Sequence, residues 1–506
     1  MPASSPKSPV EGRLAPVALA AGAVVLALGA LLGWDAVRYV QVETYLDHAE
    51  PSVAARAWRL AGDVALYLPA DHALHQRSAY GLGLFAAVYA SLSALGPSIA
   101  ASKMAPALAA LATPALFLAV AWRRYGLVRA LIGTAGLLAL QLALGGVAFW
   151  VRPDPFLILA TTLGLAAPLF GRSWLAWIAA GLCGGLAIAF KIHAFVYFLP
   201  LALGYFMERA WLGWPTMAAT ALAATALTFI LFDVSVLDYL AHIQGVVGAR
   251  GVAAAQLYAV LPKLGFYIGP PLLALAGLWA AGGRPEREDW LYLSGLGAAA
   301  LFYLYPASVA GGAWYHLAPL APFAMDLTLR LIGRDCPGRR GPALAATAIL
   351  VGLALTLPST QRRLQRGWAD LEQAARAADD VRRALRQAAR PIEMGYGADN
   401  NAVSYRLSFV APILAFAGDM PSIAGDFAME ATATGAPLSP AKLEHLSRCA
   451  TRTWLIPKDH APFSMNNFMI AGPAFWPEWR ETFAATYRKT GSIGVFDLWT
   501  CDAGQD

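Results

Sequence analysis

Long apolar runs alternate with short charged connectors over residues 1–358. Each run is roughly 16–20 residues long, close to the length that an α-helix needs to cross the hydrocarbon core of a bilayer. This pattern is typical of a polytopic helical membrane protein. It predicts helices over residues 14–33, 130–150, 155–171, 174–192, 194–208, 214–232, 263–281, 290–306, 315–332 and 342–358.

Basic residues in the connectors predict the face of the membrane on which each loop lies, because lysine and arginine accumulate in cytoplasmic connectors. We expect the amino terminus and every arginine-bearing connector to be cytoplasmic. Alternation of the helices then puts on the opposite face a first outer loop at 34–80, a second at 151–154, two further segments at 233–262 and 307–314, and everything after residue 358. The arginines concerned are Arg123, Arg124, Arg129, Arg172, Arg209, Arg284, Arg287, Arg334, Arg339 and Arg340.

Residues 81–121 form the stretch whose crossings the pattern leaves least clear. Two apolar pieces, 81–96 and 103–121, are separated by Gly96-Pro97. Alternation requires that residues 81–121 as a whole cross the membrane an odd number of times. We expect one full span at 103–121, with 81–96 partly embedded or re-entrant. Together with the other apolar runs, this predicts about 11 transmembrane helices.

Residues 359–506 are more polar and mix short β-like runs with helical patterns. They predict a small C-terminal α/β domain outside the membrane, following the transmembrane domain of residues 1–358. The β-like runs are Pro391–Gly395, Arg452–Ile456 and Ile493–Trp499. The helical patterns are Gln361–Arg390, Ala402–Ala417, Pro440–Ser447 and Pro477–Thr490.

Composition agrees with a membrane protein, since 58% of the residues are hydrophobic and 14% are charged, against about 25% charged in soluble domains. The net charge of +6 does not indicate nucleic acid as a partner, because the arginines lie in short connectors and not on one basic face. The four cysteines are too few for a disulfide framework. Cys449 and Cys501 both lie in the C-terminal domain, where one bridge and two free thiols are equal alternatives.

The first outer loop carries the main candidates for catalysis. Asp47 and Glu50 stand three residues apart directly after the first helix, with His48 between them. Such carboxylates offer a base or a metal ligand to one compartment, although solvated loop acids remain the structural alternative. His48 is better interpreted as a hydrogen-bonding neighbour than as a ligand. His72 and His75 indicate a metal site only weakly, because their spacing needs a helix and further ligands.

Two further outer-face segments add polar candidates. Arg152 and Asp154 lie in the second outer loop, where an ion pair capping the helix from residue 155 is the structural alternative. Lys191 interrupts a strongly apolar run and is followed by His193. Ionisable residues at membrane depth are costly and therefore suggest function, although a lysine that snorkels to the membrane surface fits equally well.

A flexible turn, Gly311-Gly312, precedes Tyr315 and His316 where they enter the next helix. His316 fits either a substrate contact or a structural histidine at a helix start. The sequence contains no G-x-x-x-x-G-K-[ST] motif, so a nucleotide donor is not supported. The polar candidates thus converge on one face of the membrane, while most of the long apolar runs between them contain no ionisable residues.

The run Asp47-x-x-Glu50, followed by Ala57-Trp58-Arg59-Leu60-Ala61-Gly62 and Tyr67, resembles the first outer loop of the GT-C superfamily of integral-membrane glycosyltransferases. These enzymes use polyprenyl-phosphate sugars, as the dolichyl-phosphate-mannose protein mannosyltransferases and aminoarabinose transferases do. The resemblance covers roughly residues 14–360, and the C-terminal domain is similar only in its position. Other similar elements are Gly96-Pro97-Ser98 with Lys103 in place of an arginine, Arg152-Pro153-Asp154, and the helix that ends at Lys191.

The resemblance implies an inverting transfer of a sugar from a polyprenyl-phosphate donor. Asp47 takes the role of general base, Glu50 orients it or binds the acceptor, and Asp154 assists. A divalent cation, Mg²⁺ or Mn²⁺, is left open as a cofactor, with unknown ligands. Substrate-binding roles are implied for Lys103, Arg152, Lys191, His193, Tyr315 and His316.

The resemblance also implies a multi-pass protein of the inner membrane, with its active site and C-terminal domain in the periplasm. Its partners are then the lipid-linked donor, membrane lipids, and a glycan, lipid or protein acceptor. A transporter or flippase of a lipid-linked substrate is the first alternative, but it predicts polar residues along a path through the bilayer. A non-catalytic envelope assembly protein is the second, and it does not account for the gathered acids and bases.

Overall fold

The computed structural model describes residues 9–62, 64–171, 173–207, 210–247, 251–334, 361–362, 368–397 and 403–501. The predicted helix 342–358 lies outside these residues, as do Arg172, Arg209 and Arg339-Arg340. The described helices before residue 335 are α1 (Pro9–Gln41), α2 (Glu50–Ala57), α3 (Leu82–Leu95), α4 (Ile99–Tyr125), α5 (Leu127–Leu144), α6 (Asp154–Gly164), α7 (Trp174–Phe190), α8 (Leu199–Phe206), α9 (Ala210–Leu231), α10 (Val236–Val247), α11 (Ala254–Val260), α12 (Gly265–Ala280), α13 (Arg287–Ser308) and α14 (Ala321–Ile332).

The apolar runs form helices, as the sequence predicts. Among the described residues, five helical segments are long and apolar enough to cross a membrane: Pro16–Gln41, Ile99–Tyr125, Leu127–Ala148, Trp211–Leu231 and Ala254–Ala280. Shorter apolar helices lie between them, so the total of about 11 spans stays a prediction. Large apolar side chains are exposed on α1 and α9, among them Leu26, Leu222 and Ile230, as expected for helices whose outer surface faces lipid.

The first helix is longer than predicted. It continues to Gln41 instead of ending at Gly33, so the irregular part of the first outer loop begins at Val42. Polar positions on this extension contact the C-terminal domain, since Arg38 donates to Glu372 at 2.8 Å. Apolar periodicity alone stops where the helix leaves the membrane, and tertiary contacts stabilise the remaining turns.

Residues 81–121 form two helices, α3 and α4, with Gly96 between them at a φ of +84°. The 14 residues of α3 span about 21 Å, less than the roughly 30 Å of a hydrocarbon core. This length is consistent with the partly embedded helix expected for 81–96, and the number of crossings there stays a prediction. Two prolines, Pro106 and Pro114, lie inside α4.

Close packing of α7 on α9 sets the position of the residues that follow α7. Gly181 and Gly185 face the backbone of α9, where carbonyl groups of Met217 and Ala221 leave no room for a Cβ atom. Small residues spaced four apart permit such close approach of membrane helices. The helix ends at Phe190, and Lys191 follows in an extended conformation.

The C-terminal region contains a four-stranded mixed sheet in the order β1-β2-β6-β5, with β1 parallel to β2 and the other pairs antiparallel. The sheet strands are β1 (Ile392–Met394), β2 (Thr453–Pro457), β5 (Tyr487–Ile493) and β6 (Phe496–Cys501), and a separate hairpin holds β3 (Asn466–Asn467) and β4 (Gly472–Pro473). The helices here are 368–375, Ala377–Gln387, Val403–Leu407, Pro412–Phe416, Gly425–Ala433, Pro440–Ser447 and Pro477–Thr486.

The predicted α/β character is confirmed, with differences in detail. The helix from Pro477 ends at Thr486 and gives way to β5, whose residues 487–490 were predicted to continue the helix. A turn at Gly494 divides the predicted strand 493–499, because the chain reverses there to form the β5–β6 hairpin. The helix Gly425–Ala433 was not predicted, and it supplies residues to the site described below. Cys449 and Cys501 are joined in a disulfide, the first of the two alternatives.

The C-terminal region packs directly on the first outer loop. Ser52 donates to Asp426 at 2.6 Å, and Gln76 donates to the Pro421 carbonyl at 2.8 Å. Trp58 and Phe416 meet edge to face with their ring centroids 6.2 Å apart. One hydrophobic core therefore runs from the outer ends of the membrane helices into the C-terminal sheet.

Candidate active site

A cavity of about 360 Å³ lies between the outer ends of the membrane helices and the C-terminal region. Its wall combines segments that are far apart in sequence. The polar side chains that line it are His48, Arg77, Ser78, Tyr80, Arg152, Lys191, His193, Tyr305, Tyr315, His316, Asp426 and Glu430. Five of the predicted substrate-binding residues thus meet at one cavity, namely Arg152, Lys191, His193, Tyr315 and His316.

Asp47 lies immediately behind this wall, with both carboxylate oxygens engaged. Its Oδ1 accepts from the Arg152 guanidinium at 2.9 Å and from the Ala49 amide at 3.1 Å. Its Oδ2 is 3.3 Å from Nδ1 of His48. Burial opposes ionisation, but the charges of His48 and Arg152 outweigh it and hold the pKa of Asp47 well below its usual range. Asp47 is therefore a carboxylate that stays ionised.

Arg152 connects Asp47 to the far side of the cavity. Its second terminal nitrogen donates to the Tyr315 hydroxyl at 2.7 Å. The guanidinium also lies over the rings of Trp150 and Tyr315, at 4.2 and 4.6 Å from the ring centroids. This bonding to Asp47 replaces the local pair with Asp154 that the sequence left open as an alternative. The planar group is thus fixed by a carboxylate and by ring faces.

Lys191 extends from the end of α7 into the same cavity. Its Nζ is 3.0 Å from Nδ1 of His316, and the Tyr197 hydroxyl donates to the His316 carbonyl at 2.6 Å. The ammonium is buried, although a snorkelling lysine would be exposed at the membrane surface. His193 lies nearby, with its ring centroid 6.4 Å from that of His316.

Glu50 is buried and accepts hydrogen bonds from three segments. Its Oε1 accepts from the Leu46 and Asp47 amides at 2.8 and 2.7 Å. Its Oε2 accepts from the Val151 amide at 2.7 Å and from the Tyr39 hydroxyl. Burial raises the pKa of Glu50, and the Tyr39 and Val151 bonds counteract this effect. Glu50 therefore joins α1 and both outer loops, and it lies outside the cavity wall.

Replacing Glu50 with Ala is expected to destabilise the protein by at least about 3 kcal/mol, because it leaves several buried donors without acceptors. Thermal unfolding of the purified protein in detergent measures this loss. Glu43→Ala is the matched control, since the Glu43 side chain is 47% exposed and forms a surface pair with Arg382. Equal unfolding midpoints for the two variants would contradict the structural role of Glu50.

Two other predicted residues also lie outside the cavity wall. Lys103 is fully buried in α4, and its Nζ donates to the carbonyls of Tyr39 at 2.8 Å, Val42 at 2.6 Å and Thr44. All three ammonium hydrogens are used, so Lys103 braces the end of α1. Asp154 begins α6 and accepts from the Trp150 indole at 2.9 Å. A direct catalytic role for Asp154 stays a prediction.

Two crystal structures of ArnT from Cupriavidus metallidurans match the chain over nearly its whole length. The apo structure has a TM-score of 0.57 and 14% identity, and the match covers 94% of this chain and 97% of that chain. ArnT bound to undecaprenyl phosphate also has a TM-score of 0.57, with 12% identity over 95% of this chain and 98% of that chain. The chain has the GT-C fold.

The GT-C resemblance found in the first outer loop is thus confirmed at the level of the fold. The structural match includes the C-terminal region, where the sequence showed similarity only in position. No family model matches the sequence, and no curated protein matches it. At these sequence identities the structural match shows the fold alone, so any activity has to be inferred from the chemistry of the cavity.

The donor set at this cavity does not fit a divalent cation. Within the described parts of the chain, no group of three or more His, Cys, Asp and Glu side chains is arranged to share a metal ion. Both oxygens of Asp47 already face cationic or donor groups, and Asp154 faces an indole NH. We therefore assign no step to Mg²⁺ or Mn²⁺.

The C-terminal residues at the cavity were not predicted from the sequence. Asp426, Glu430 and Met469 line it. Asp426 and Glu430 are four residues apart on the helix Gly425–Ala433, a spacing that puts both carboxylates on one helix face. That spacing is the only signal in the sequence, and it does not indicate which cavity the helix approaches.

Proposed function

We propose that this protein transfers a sugar from a polyprenyl-phosphate donor to a lipid, glycan or protein acceptor at the outer face of the membrane. The observation that carries the proposal is the cavity in which Lys191 and Arg152 lie beside the ionised Asp47. Glycosyl transfer from a phosphate needs cations for the leaving group and a base for the acceptor. ArnT, which has the same fold, has been crystallised with undecaprenyl phosphate.

The cations of the cavity suit the donor phosphate. Lys191 provides a point charge, and Arg152 provides a planar guanidinium held between Asp47 and Tyr315. As the bond from the sugar to the phosphate breaks, negative charge grows on the departing phosphate oxygen. Fixed cations in a buried site stabilise that charge more than they stabilise the intact donor.

One side of the cavity suits a prenyl chain. Phe302, Pro306 and Val309 line it along the outer end of α13, together with Tyr305. Phe302 and Tyr305 are 46% and 55% exposed, so the cavity wall continues onto the apolar surface of the helix bundle. In this proposal the phosphate enters between the helices while the lipid tail stays in the membrane.

In the proposed reaction Asp47 belongs to the base that draws off the acceptor proton, the function that the sequence predicted for it. A single displacement then removes the acceptor proton as the new glycosidic bond forms, which inverts the anomeric centre. Glu50 supports Asp47 by accepting hydrogen bonds from the backbone of the loop that carries it. Asp154 lies outside the cavity wall and assists through its charge, which interacts with the charges of Lys191 and Arg152.

The experiment that tests this function measures undecaprenyl phosphate, the product that every undecaprenyl-phosphate sugar yields when its sugar is transferred. The purified full chain in lipid nanodiscs is incubated with synthetic undecaprenyl-phosphate sugars, one at a time, and with an envelope extract from cells lacking the gene. Release of undecaprenyl phosphate that depends on the extract supports the transferase. Movement of the intact donor across a vesicle membrane without release would instead favour a flippase, and neither activity would favour an assembly protein.

We also propose an inner-membrane location with the cavity in the periplasm. The arginine connectors support this orientation, and a disulfide between Cys449 and Cys501 suits an oxidising compartment. In a background that carries both Cys183→Ala and Cys336→Ala, Glu478→Cys is expected to react with an impermeant maleimide in intact spheroplasts. Arg287→Cys, in the predicted cytoplasmic connector, is expected to react only after permeabilisation. The reverse pattern would overturn the orientation.

A further inference from the structure

The imidazole of His48 occupies a place between Asp47 and the cavity. Its Nδ1 is 3.3 Å from Oδ2 of Asp47, and the side chain forms part of the cavity wall. Among the residues that the structure describes, none is a hydrogen-bond partner of Nε2. The ring of Phe468 meets the imidazole edge to face, with the centroids 5.3 Å apart. The ring is thus oriented on one side and has a free nitrogen on the other.

Asp47 itself is poorly suited to take a proton directly from a substrate. Its side chain is 20% exposed, close to the 21% of His48, but its two oxygens already receive hydrogen bonds or charge from Arg152, Ala49 and His48. Those contacts favour the ionised form, and the more a carboxylate is stabilised in that form, the weaker it is as a base. A neighbour that contacts Asp47 and also lines the cavity can take that proton instead.

We propose that His48 is a catalytic residue that receives the proton of the acceptor hydroxyl on Nε2, with Asp47 holding the ring through Nδ1. This inference rests on the transferase function proposed above. The acceptor oxygen forms a bond to the anomeric carbon, and the bond from that carbon to the phosphate oxygen breaks. Its electron pair leaves with polyprenyl phosphate, and the proton resides on the imidazole. Asp47 stabilises the resulting imidazolium, as a carboxylate does for a catalytic histidine elsewhere.

The charged groups that face His48 come from three elements. Asp47 belongs to the same loop, Arg152 comes from the second outer loop, and Asp426 comes from the C-terminal helix, where Ser52 donates to it at 2.6 Å. Burial lowers the pKa of His48 and Asp47 raises it, with a net rise. The C-terminal region therefore contributes to the charge around the base as well as to the cavity wall.

The direction of that shift determines the expected pH profile. The proton acceptor is neutral His48, so the rate should fall as the pH drops below its raised pKa. Above that pKa the rate should reach a plateau set by other groups. This acid-side fall should disappear from any variant that lacks the imidazole, even where residual transfer continues.

His48→Asn is the informative variant, because an asparagine amide can still donate to Asp47 from the position of Nδ1 but has no counterpart of Nε2. The undecaprenyl-phosphate sugar that serves the wild type best is the probe. We expect kcat to fall by about 10²–10⁴-fold, with the KM for that donor changed by less than about threefold. His72→Asn, in an exposed part of the same loop, should retain wild-type kcat and pH profile.

Each outcome separates the two proposals. If the wild type releases no undecaprenyl phosphate from any donor, the transferase proposal fails. If the wild type is active and His48→Asn keeps its rate and its acid-side fall, the role of His48 is wrong while the transferase stands.

Binding of undecaprenyl phosphate, measured by thermal shift, should be equal in the wild type and His48→Asn. A loss of both binding and fold would mark His48 as structural, and His48→Gln, with an amide nearer the Nε2 position, should then restore folding and activity together.

Discussion

Replacing Asp47 with Asn is expected to reduce transfer from a polyprenyl-phosphate sugar by about 10³–10⁴-fold, while the protein still inserts and folds. The amide has nearly the same size as the carboxylate, but one of its two ends carries donor hydrogens, so it cannot accept from both Arg152 and His48, which are themselves donors. The imidazole then loses the charge that stabilises its protonated form and the acceptor that fixes its tautomer. Neutralising the carboxylate partner of a catalytic histidine has an effect of this size in other enzymes.

The measurement is release of undecaprenyl phosphate by purified Asp47→Asn protein in nanodiscs, with thermal unfolding recorded in parallel. Asp71→Asn is the matched control, because Asp71 lies in the same loop and is exposed. We expect it to retain wild-type turnover. Wild-type turnover in Asp47→Asn would remove Asp47 from the mechanism, including its role in orienting His48.

The second large effect is expected for Lys191→Met, which keeps the length of the side chain and removes its charge. Binding of undecaprenyl phosphate should weaken by about 10–100-fold, since a hydrogen bond to a charged group contributes about 1.5–3 kcal/mol. The loss should be strongest for the phosphate, because the prenyl contacts lie elsewhere on the wall. Isothermal titration or thermal shift with undecaprenyl phosphate measures the change.

Lys263→Met provides the comparison for Lys191→Met. Lys263 lies on the same side of the bundle, near Trp314, but it does not line the cavity. Its removal alters the net charge of the protein equally and should leave binding within about twofold of the wild type. Equal weakening in both variants would point to general electrostatic attraction in place of a phosphate contact.

The residues at the cavity were only partly predictable from the sequence. Arg152, Lys191 and His316 were recognisable because charged or imidazole groups interrupt apolar runs at the same predicted face, and such groups are costly unless they serve a purpose. Their alternatives could not be resolved in advance. Whether Lys191 reaches the surface or a cavity depends on the packing of α7 against α9, which sequence spacing does not encode.

Glu50 and Lys103 show where spacing was less informative. Both are charged residues in segments that resemble a glycosyltransferase family, which implied substrate binding for Lys103 and, for Glu50, either orienting Asp47 or binding the acceptor. In the structure they join backbone segments, since Glu50 accepts from both outer loops and Lys103 donates to three carbonyls at the end of α1. A buried charge needs several partners, and only the tertiary structure reveals whether those partners are backbone or ligand.

The sequence by itself determined the class of this protein. Apolar runs of membrane length require helices, because backbone groups in a bilayer must form their hydrogen bonds within the segment. The change of amino-acid composition near residue 359 indicates a separate polar region. Only the tertiary structure decided which side chains share a cavity. Three distant stretches of the chain supply Asp47, His48, Arg152 and Asp426. Their contacts depend on how the loops pack against one another, and the local pattern of apolar and polar residues does not predict that packing.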